Sequence, residues 1–154
     1  MVVEKTTPSL VHHWLQHLQE TQKNIQHIFT QNIDGLEDGI DCPITHLHGI
    51  LSSGHCLQCK YGMKPHLINR KQVTPERLVQ SYTTGTVCHC EHCEGVIKPD
   101  ILFYNEQVSG NVLSSFQQEA KAADLLLILG TSLSTYPVSN CLSFFQDCDI
   151  VGWK

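Results

Sequence analysis

Residues 125–133 read LLLILGTSL, an unbroken apolar run that ends in small polar residues. Such a run is typical of a strand that is buried on both faces in a parallel sheet. The glycine and the hydroxyl side chains that follow it stand where ligands bind in open α/β sheets, at the carboxyl end of a strand. We therefore predict a strand over residues 125–129 and a binding loop over residues 130–133.

The rest of the chain alternates between helical and extended patterns. Apolar residues recur at helical spacing after Thr7-Pro8, which is typical of an N-cap followed by proline in the first turn. Alternating helices and strands favour an α/β fold with a parallel sheet as its body. The predicted helices cover residues 8–22, 111–123 and 137–145. Two further strands are predicted over residues 25–29 and 149–153, and the first of these leads into a polar loop.

Composition narrows the classes of function. The 154 residues are about one domain's worth. With 10 Lys and Arg against 15 Asp and Glu, the net charge is −5, which argues against general affinity for nucleic acid or acidic membranes. The apolar runs are far shorter than the roughly 20 residues of a membrane helix, and the first residues do not resemble a secretory signal. We expect an intracellular protein, cytoplasmic or nuclear, that binds neither nucleic acid nor membrane.

Two Cys-x-x-Cys pairs, with residues 60–89 between them, are the strongest chemical signal. Each pair places two sulfurs on one tight turn, and two such turns supply the tetrahedral thiolate set that zinc accepts. Four sulfurs leave no open coordination position, so we predict structural zinc; the alternative is four ordinary thiols. The segment is poorer in apolar residues, and we interpret residues 50–97 as a small inserted zinc-binding module. The predicted ligands are Cys56, Cys59, Cys90 and Cys93.

The remaining cysteines lack this paired spacing. Cys88 lies close enough to the second pair to replace one of its cysteines as a zinc ligand. However, one residue separates Cys88 from Cys90, which is a shorter spacing than in a Cys-x-x-Cys turn. We expect Cys42, Cys141 and Cys148 to be small apolar or surface thiols.

His48 stands beside Gly49, close to the first cysteine pair. A histidine taken alone is more often structural than catalytic. This one accompanies two predicted strand-end loops, at residues 31–34 and 130–132, that carry amides, hydroxyls and a carboxylate. Such groups can hold a ribose, and an imidazole can take a proton from a hydroxyl near neutral pH.

Taken in order, these motifs resemble the sirtuin family, the NAD-dependent protein-lysine deacylases. The resemblance runs from about residue 8 to residue 137, and residues 96–103 look most like the eukaryotic nuclear and cytoplasmic branch. The motifs that carry it are TQNID at 30–34, HG at 48–49, the two cysteine pairs, KPDILF at 98–103 and GTSL at 130–133.

The resemblance implies an incomplete Rossmann-like parallel sheet, with residues 1–154 as a partial catalytic domain. It implies NAD⁺ as cosubstrate, an acylated-lysine protein or peptide as partner, and transfer of the acyl group to ADP-ribose with release of nicotinamide, as in histone deacetylation. His48 would be the general base that activates a ribose hydroxyl. The cofactor contacts would be Gln31, Asn32, Ile33, Asp34, Gly130, Thr131 and Ser132. The acyl-lysine tunnel would be lined by Leu102 and Phe103, and an extended substrate would pair with the backbone of Tyr104, Asn105 and Glu106.

Several of these residues have simpler roles open to them. Asn32 and Asp34 are typical of a turn that bonds its own backbone. Leu102 and Phe103 are equally typical of a sheet core, and residues 131–132 are typical of a helix cap.

The sequence also departs from the sirtuin pattern. None of its glycines is spaced as Gly-x-Gly, whereas sirtuins hold the NAD pyrophosphate on a glycine-rich loop, and the family's later asparagine-bearing strand is unmatched as well. We therefore expect a fragment or short form with weakened NAD binding, and self-association through an exposed sheet edge. Asn105 replaces a usual glycine and would narrow substrate access. The alternative function is a catalytically deficient sirtuin that binds acyl-lysine or a protein; a zinc-ribbon nucleic-acid binder is disfavoured by sparse basic residues.

Overall fold

The computed structural model describes residues 6–59, 73–106, 110–135 and 138–153. Helices and strands alternate along the chain, as predicted for an α/β fold. The helices are α1 (Leu10–Gln22), α2 (Pro75–Thr84), α3 (Gly110–Ala120) and α4 (Val138–Cys141), with 3-10 turns at Leu36–Gly39 and Leu142–Phe144. The strands are β1 (Ile28–Thr30), β2 (Ile44–His46), β3 (Gly49–Cys56), β4 (Ile97–Ile101), β5 (Leu125–Leu129) and β6 (Asp149–Trp153).

The strands of the described ranges pair two by two. β1 pairs with β2 and β5 pairs with β6, both in parallel, whereas β3 and β4 are antiparallel. The predicted strands at 125–129 and 149–153 are confirmed to the residue. The prediction that β5 is buried on both faces is wrong, because Leu125 is 55% exposed and Ile150 and Val151 on β6 are each 50% exposed. Because consecutive strand residues point to opposite faces of a sheet, both faces of the β5–β6 pair carry exposed apolar side chains.

Other predicted boundaries move by a few residues. Helix α1 begins after Ser9, whose backbone N–H and hydroxyl lie 3.1 and 2.8 Å from His12 Nδ1, so the cap is Ser9 and not Thr7. β1 begins three residues later than predicted, and α3 ends before residue 121. The helix predicted over 137–145 is α4 followed by a 3-10 turn, and Pro137 lies outside the described residues. No helix of the described part is long and apolar enough to span a membrane.

Within the described ranges, buried side chains form two separate clusters. One lies between β1, α3 and α4, where the rings of Phe29 and Phe116 stack 4.0 Å apart; its buried members are Leu47, Phe116, Val138, Cys141 and Phe145. The other lies inside the predicted zinc-binding module, between α2, β3 and β4; its buried members are Cys56, Val73, Leu78, Cys88, Cys90 and Ile97. Leu47, the residue that precedes His48, is buried in the first cluster.

Helix α2 was not predicted from the sequence. It begins after Thr74 with Pro75 in its first turn, and it ends at Gly85 in the left-handed region. It buries Leu78 and Ser81, and the half-buried Tyr82 packs against the same cluster as Leu78. The sequence around α2 has few apolar residues, so its pattern did not indicate a helix, although the helix packs against the module core.

Gly49 allows β3 to lie against β4 directly beside His48. Its φ is +78°, a conformation that favours glycine, and a Cβ here would lie 1.9 Å from the carbonyl oxygen of Asp100. The next residues of β3 pair irregularly with β4, with a register shift between Ile50 and Gly54. This close approach brings the end of β4 to the histidine.

Candidate active site and metal centre

His48 lies between two predicted site segments. Its Nδ1 is 3.0 Å from the backbone oxygen of Gln31, and its own backbone oxygen accepts a hydrogen bond from the N–H of Leu102 at 2.8 Å. Because a carbonyl oxygen only accepts, the His48 proton resides on Nδ1. The neutral ring therefore carries its lone pair on Nε2, which makes no hydrogen bond to a described residue. This is the tautomer that a general base requires.

The two strand-end loops meet through Gln31. The hydroxyl of Thr131 donates to Gln31 Oε1 at 3.1 Å, and the N–H of Leu133 donates to the same hydroxyl at 3.1 Å. The Gln31 Nε2 atom is buried and has no hydrogen-bond partner among the described residues. A buried donor without a partner is costly, so an acceptor on a bound ligand would stabilise it. We call the residues 31–34, 48 and 130–132 the strand-end site.

Asn32 and Asp34 do different things within this loop. Asp34 Oδ1 accepts from the N–H of Leu36 at 3.2 Å, so its carboxylate closes the turn, as the simpler reading allowed. Asn32 instead donates from Nδ2 to Glu37 Oε1 at 3.0 Å. Ile33 is half-buried, and its backbone oxygen accepts from Leu51 at 2.9 Å. Asn32 thus depends on a residue that the sequence analysis did not select.

Glu37 is a buried carboxylate, 5% exposed, in the first 3-10 turn. Its burial opposes ionisation, but hydrogen bonds from Thr30 and Asn32 and the nearby His12 outweigh burial and hold the pKa below its ordinary value. A glutamate in a polar turn gives no signal that it will be buried, so nothing in the local sequence could have singled it out.

The second loop is more open than the first. Gly130 and Ser132 are exposed, and the Ser134 hydroxyl donates to the Ser132 hydroxyl at 2.9 Å. Gly130 has a φ of +64° with no atom close to where a Cβ would stand. This side of the strand-end site therefore leaves space for a ligand beside Thr131.

Residues 103–106 form a closed turn. The Phe103 N–H donates to Glu106 Oε2 at 2.9 Å, and the Glu106 N–H donates to the Phe103 oxygen at 3.0 Å. Asn105 takes a left-handed φ of +71° at the tip, and Tyr104 is fully exposed. The pairing of residues 104–106 with an extended substrate stays a prediction. In this structure the N–H groups of Phe103 and Glu106 both donate within the turn.

Lys98 supports this turn from β4. Its Nζ is 3.0 Å from Glu106 Oε2, donates to the Ile101 oxygen at 2.8 Å and lies 4.5 Å from the centre of the Phe103 ring. The Phe103 N–H and Lys98 together hold the pKa of Glu106 below its ordinary value. Phe103 is 47% exposed, so it is not sheet core, and Leu102 is half-buried beside it.

The four predicted zinc ligands come together. The Cys56 and Cys93 sulfurs are 3.5 Å apart, the Cys59 and Cys90 sulfurs are 3.7 Å apart, and all four lie within 4.8 Å of one another. A zinc tetrahedron with bonds of about 2.3 Å has sulfur-to-sulfur edges of about 3.8 Å. The donor set and its spacing therefore fit a closed, structural zinc site.

Backbone groups prepare this site for charge. Burial opposes ionisation of the Cys56 thiol, but N–H groups of Cys59 and Gln58 and the neighbouring thiols lower its pKa to about 6. On the second turn the His92 N–H lies 3.4 Å from the Cys90 sulfur. Thiolate is the form that binds a metal, so these groups favour metal binding.

The other cysteines do not join the cluster. Cys88 is buried in the module core. Burial raises the pKa of the Cys141 thiol, and burial together with Asp41 raises that of Cys42. Cys141 and Cys148 pack in the core around Phe116, in line with the prediction of small apolar thiols.

The chain is similar to known deacetylases and to solved Sir2 structures. It is 29% identical over 153 residues to an NAD-dependent protein deacetylase of Clostridium tetani (strain Massachusetts / E88), covering 98% of this chain and 56% of that protein. It superposes on Sir2 with a p53 peptide and NAD⁺ with a TM-score of 0.78 and 26% identity, covering 96% of this chain and 58% of that one. For Sir2 bound to acetylated peptide the TM-score is 0.78 at 25% identity, covering 96% and 59%.

The chain thus spans little more than half the length of the relatives it matches. Residues 1–137, most of the chain, match the model of the Sir2 family. The neighbouring structures have the Rossmann-like α/β fold that the resemblance implied, and the four-cysteine cluster fits the inserted zinc module. This protein belongs to the Sir2 family, the sirtuins.

Proposed function

We propose that this protein is an NAD-dependent protein-lysine deacetylase, which transfers the acyl group to ADP-ribose and releases nicotinamide. One observation carries the proposal: the backbone oxygen of Gln31 holds the proton of His48 on Nδ1, which leaves the lone pair of Nε2 to act as a base. The named activity of the Clostridium tetani relative and the Sir2 structure with NAD⁺ support it.

The chain's own residues fit an NAD ribose. The buried Gln31 Nε2 offers a donor to a hydroxyl oxygen, and Asn32, Thr131 and Ser132 offer polar groups around it. Bound NAD⁺ supplies the ribose that receives the acyl group. His48 Nε2 would take the proton of a ribose hydroxyl, and the backbone oxygen of Gln31 stabilises the imidazolium that results.

The acyl-lysine partner would enter beside Leu102, Phe103 and the turn at 103–106. Leu102 is tied to His48 by a backbone hydrogen bond of 2.8 Å, so the tunnel and the base form one unit. The half-exposed ring of Phe103 offers apolar surface to the acyl-lysine side chain. Pairing of residues 104–106 with a peptide requires the turn to open, because the Glu106 N–H already donates to the Phe103 oxygen at 3.0 Å.

The test is nicotinamide release from NAD⁺ and an acetyl-lysine peptide by the purified, zinc-loaded protein. We expect release by the wild type and its loss in His48→Ala. His46→Ala is the matched control, because His46 lies two residues away and pairs with Asp38 at 2.7 Å outside the site. Equal release by His48→Ala and the wild type would refute the base assignment.

A second function is favoured by one observation, the lack of any Gly-x-Gly spacing in the chain. Without such a loop, NAD binding would lose several phosphate hydrogen bonds and weaken by orders of magnitude. These 154 residues alone would then form a zinc-stabilised module that binds acyl-lysine or a protein without turnover. Acetyl-peptide binding by the wild type with no nicotinamide release would favour this function.

We also propose an intracellular setting, cytoplasmic or nuclear, supported by cysteines that are spaced for metal binding and not for disulfides.

Self-association through the β5–β6 sheet is supported by the exposed side chains of Leu125, Ile150 and Val151. Sedimentation at rising protein concentration tests it, and a monomer at all concentrations would count against it.

A further inference from the structure

We propose that Glu37 is a positioning residue that fixes the side-chain amide of Asn32, so that the Asn32 oxygen faces the ligand as a hydrogen-bond acceptor. The inference rests on the proposed function, in which Asn32 contacts a ribose. It adds a residue and an orientation to that site.

The geometry is a closed set of three hydrogen bonds at the end of β1. Glu37 Oε1 accepts from the Thr30 hydroxyl at 2.8 Å and from Asn32 Nδ2 at 3.0 Å. The Thr30 hydroxyl in turn accepts from the Asn32 backbone N–H at 3.1 Å. Thr30 and Glu37 are both buried, at 6% and 5% exposure. Both the backbone and the side chain of Asn32 are therefore held from the protein side.

A tight turn brings Glu37 back beneath the loop. Gly35 has a φ of +72°, and a Cβ at this position would lie 2.9 Å from Ile50 Cδ1. The 3-10 turn that follows returns the chain toward β1, which places a residue five positions after Asn32 against its side chain.

The chemistry of the carboxylate selects one of two amide orientations. An ionised carboxylate can only accept hydrogen bonds, so it binds the NH₂ end of Asn32 and excludes the carbonyl end. The Asn32 oxygen is then directed away from Glu37. A ribose hydroxyl is a donor that such an oxygen can receive, whereas a reversed amide would offer it only N–H groups.

Glu37 Oε1 also lies 3.7 Å from Nε2 of His12 on α1. An ion pair between these side chains would be a purely structural reason for a buried carboxylate here. The two roles predict different results. A structural ion pair supports the fold and affects every ligand alike. A positioning role affects the ligand that Asn32 contacts and leaves the acyl-peptide side unchanged.

The first experiment compares Glu37→Ala and Glu37→Gln with Asp38→Asn, a neighbouring carboxylate whose partner is His46. For Glu37→Ala we expect the KM for NAD⁺, or its Kd by titration, to rise about tenfold, the effect of one good hydrogen bond. The KM for acetyl-lysine peptide stays unchanged. Glu37→Gln keeps an acceptor oxygen and should recover part of the NAD⁺ affinity. An unchanged NAD⁺ value, or an equal rise for the peptide or in Asp38→Asn, would overturn the proposal.

The second readout needs no activity. The Asn32 side-chain NH₂ signal, assigned by its loss in Asn32→Asp, should move toward that of a solvent-exposed amide in Glu37→Ala and move less in Glu37→Gln. An unmoved signal in folded Glu37→Ala would overturn the positioning role. A moved signal in a protein that neither binds NAD⁺ nor releases nicotinamide would support the positioning role and refute the proposed function.

Discussion

The zinc-binding module and the strand-end site are assembled over very different distances along the chain. In the module, each pair of sulfurs comes from one short turn, and the four groups satisfy one another at 3.5 and 3.7 Å. In the strand-end site, Thr131 reaches Gln31 across 100 positions, and the buried Gln31 Nε2 has no described partner. The first site is a closed set of four sulfurs that fits zinc, whereas the second presents a buried donor that a ligand could bind. Removing one group should therefore unfold the first site and only weaken the second.

The largest effect is expected from Cys56→Ser. Cys56 is fully buried, and thiolate binding of zinc contributes about 10–16 kcal/mol to the folding of such sites. We expect the module to unfold and zinc content to fall, measured by metal analysis and by circular dichroism on heating. Cys148→Ser is the control, since Cys148 lies outside the module. A metal-free wild type that melts as cooperatively as the zinc-loaded protein would contradict a structural role for zinc.

A second test concerns the strand contact that joins the two regions. Gly49→Ala places a Cβ 1.9 Å from the Asp100 oxygen at a positive φ, so we expect a loss of about 3 kcal/mol or more of unfolding free energy. Gly85→Ala has a similar φ of +69° with nothing within 4 Å, and should cost only about 1 kcal/mol. Urea unfolding of both variants measures the difference. Equal losses would show that the approach of β3 to β4 does not constrain this position.

The dependence of stability on pH tests the buried carboxylate of Glu37. The folded pKa of Glu37 is lowered, so its stabilisation is complete above the ordinary glutamate value of 4.5 and is lost as pH falls through the lower folded value. At pH 6 the unfolding free energy of the wild type should exceed that of Glu37→Gln by about 1–2 kcal/mol. This difference should disappear as the pH falls. Urea midpoints from pH 6 to pH 3 measure it. A gap that widens in acid would contradict the sign.

The smallest effect is expected at the acyl-lysine side. Phe103 is about half exposed, so removing its ring in Phe103→Ala should weaken acetyl-peptide binding by about fivefold, or about 1 kcal/mol. Tyr104→Ala is the matched control, because the Tyr104 side chain is fully exposed. Fluorescence titration with a labelled acetyl-lysine peptide measures both. Unaltered affinity in Phe103→Ala would remove this ring from the site.

Local patterns predicted what local chemistry determines. The strands at 125–129 and 149–153 follow from unbroken apolar or β-favouring runs, and the zinc ligands follow from the two-residue spacing within each pair. Helix α2 was not predicted because it has no long apolar stripe; its contacts with the module core come from Leu78 and Tyr82. The burial of β5 was overestimated because an apolar composition does not say which neighbours are present.

By itself, the sequence determined the α/β alternation and the four cysteines that cluster, and it predicted His48, Gln31 and Asn32 as site residues, since each belongs to a short motif. Only the tertiary structure decided which hydrogen bonds those residues make. The tautomer of His48 is selected by a backbone oxygen 17 positions away, and the orientation of Asn32 is selected by a buried carboxylate. Hydrogen-bond partners across folded elements are set by packing, and packing is not encoded in any one stretch of chain.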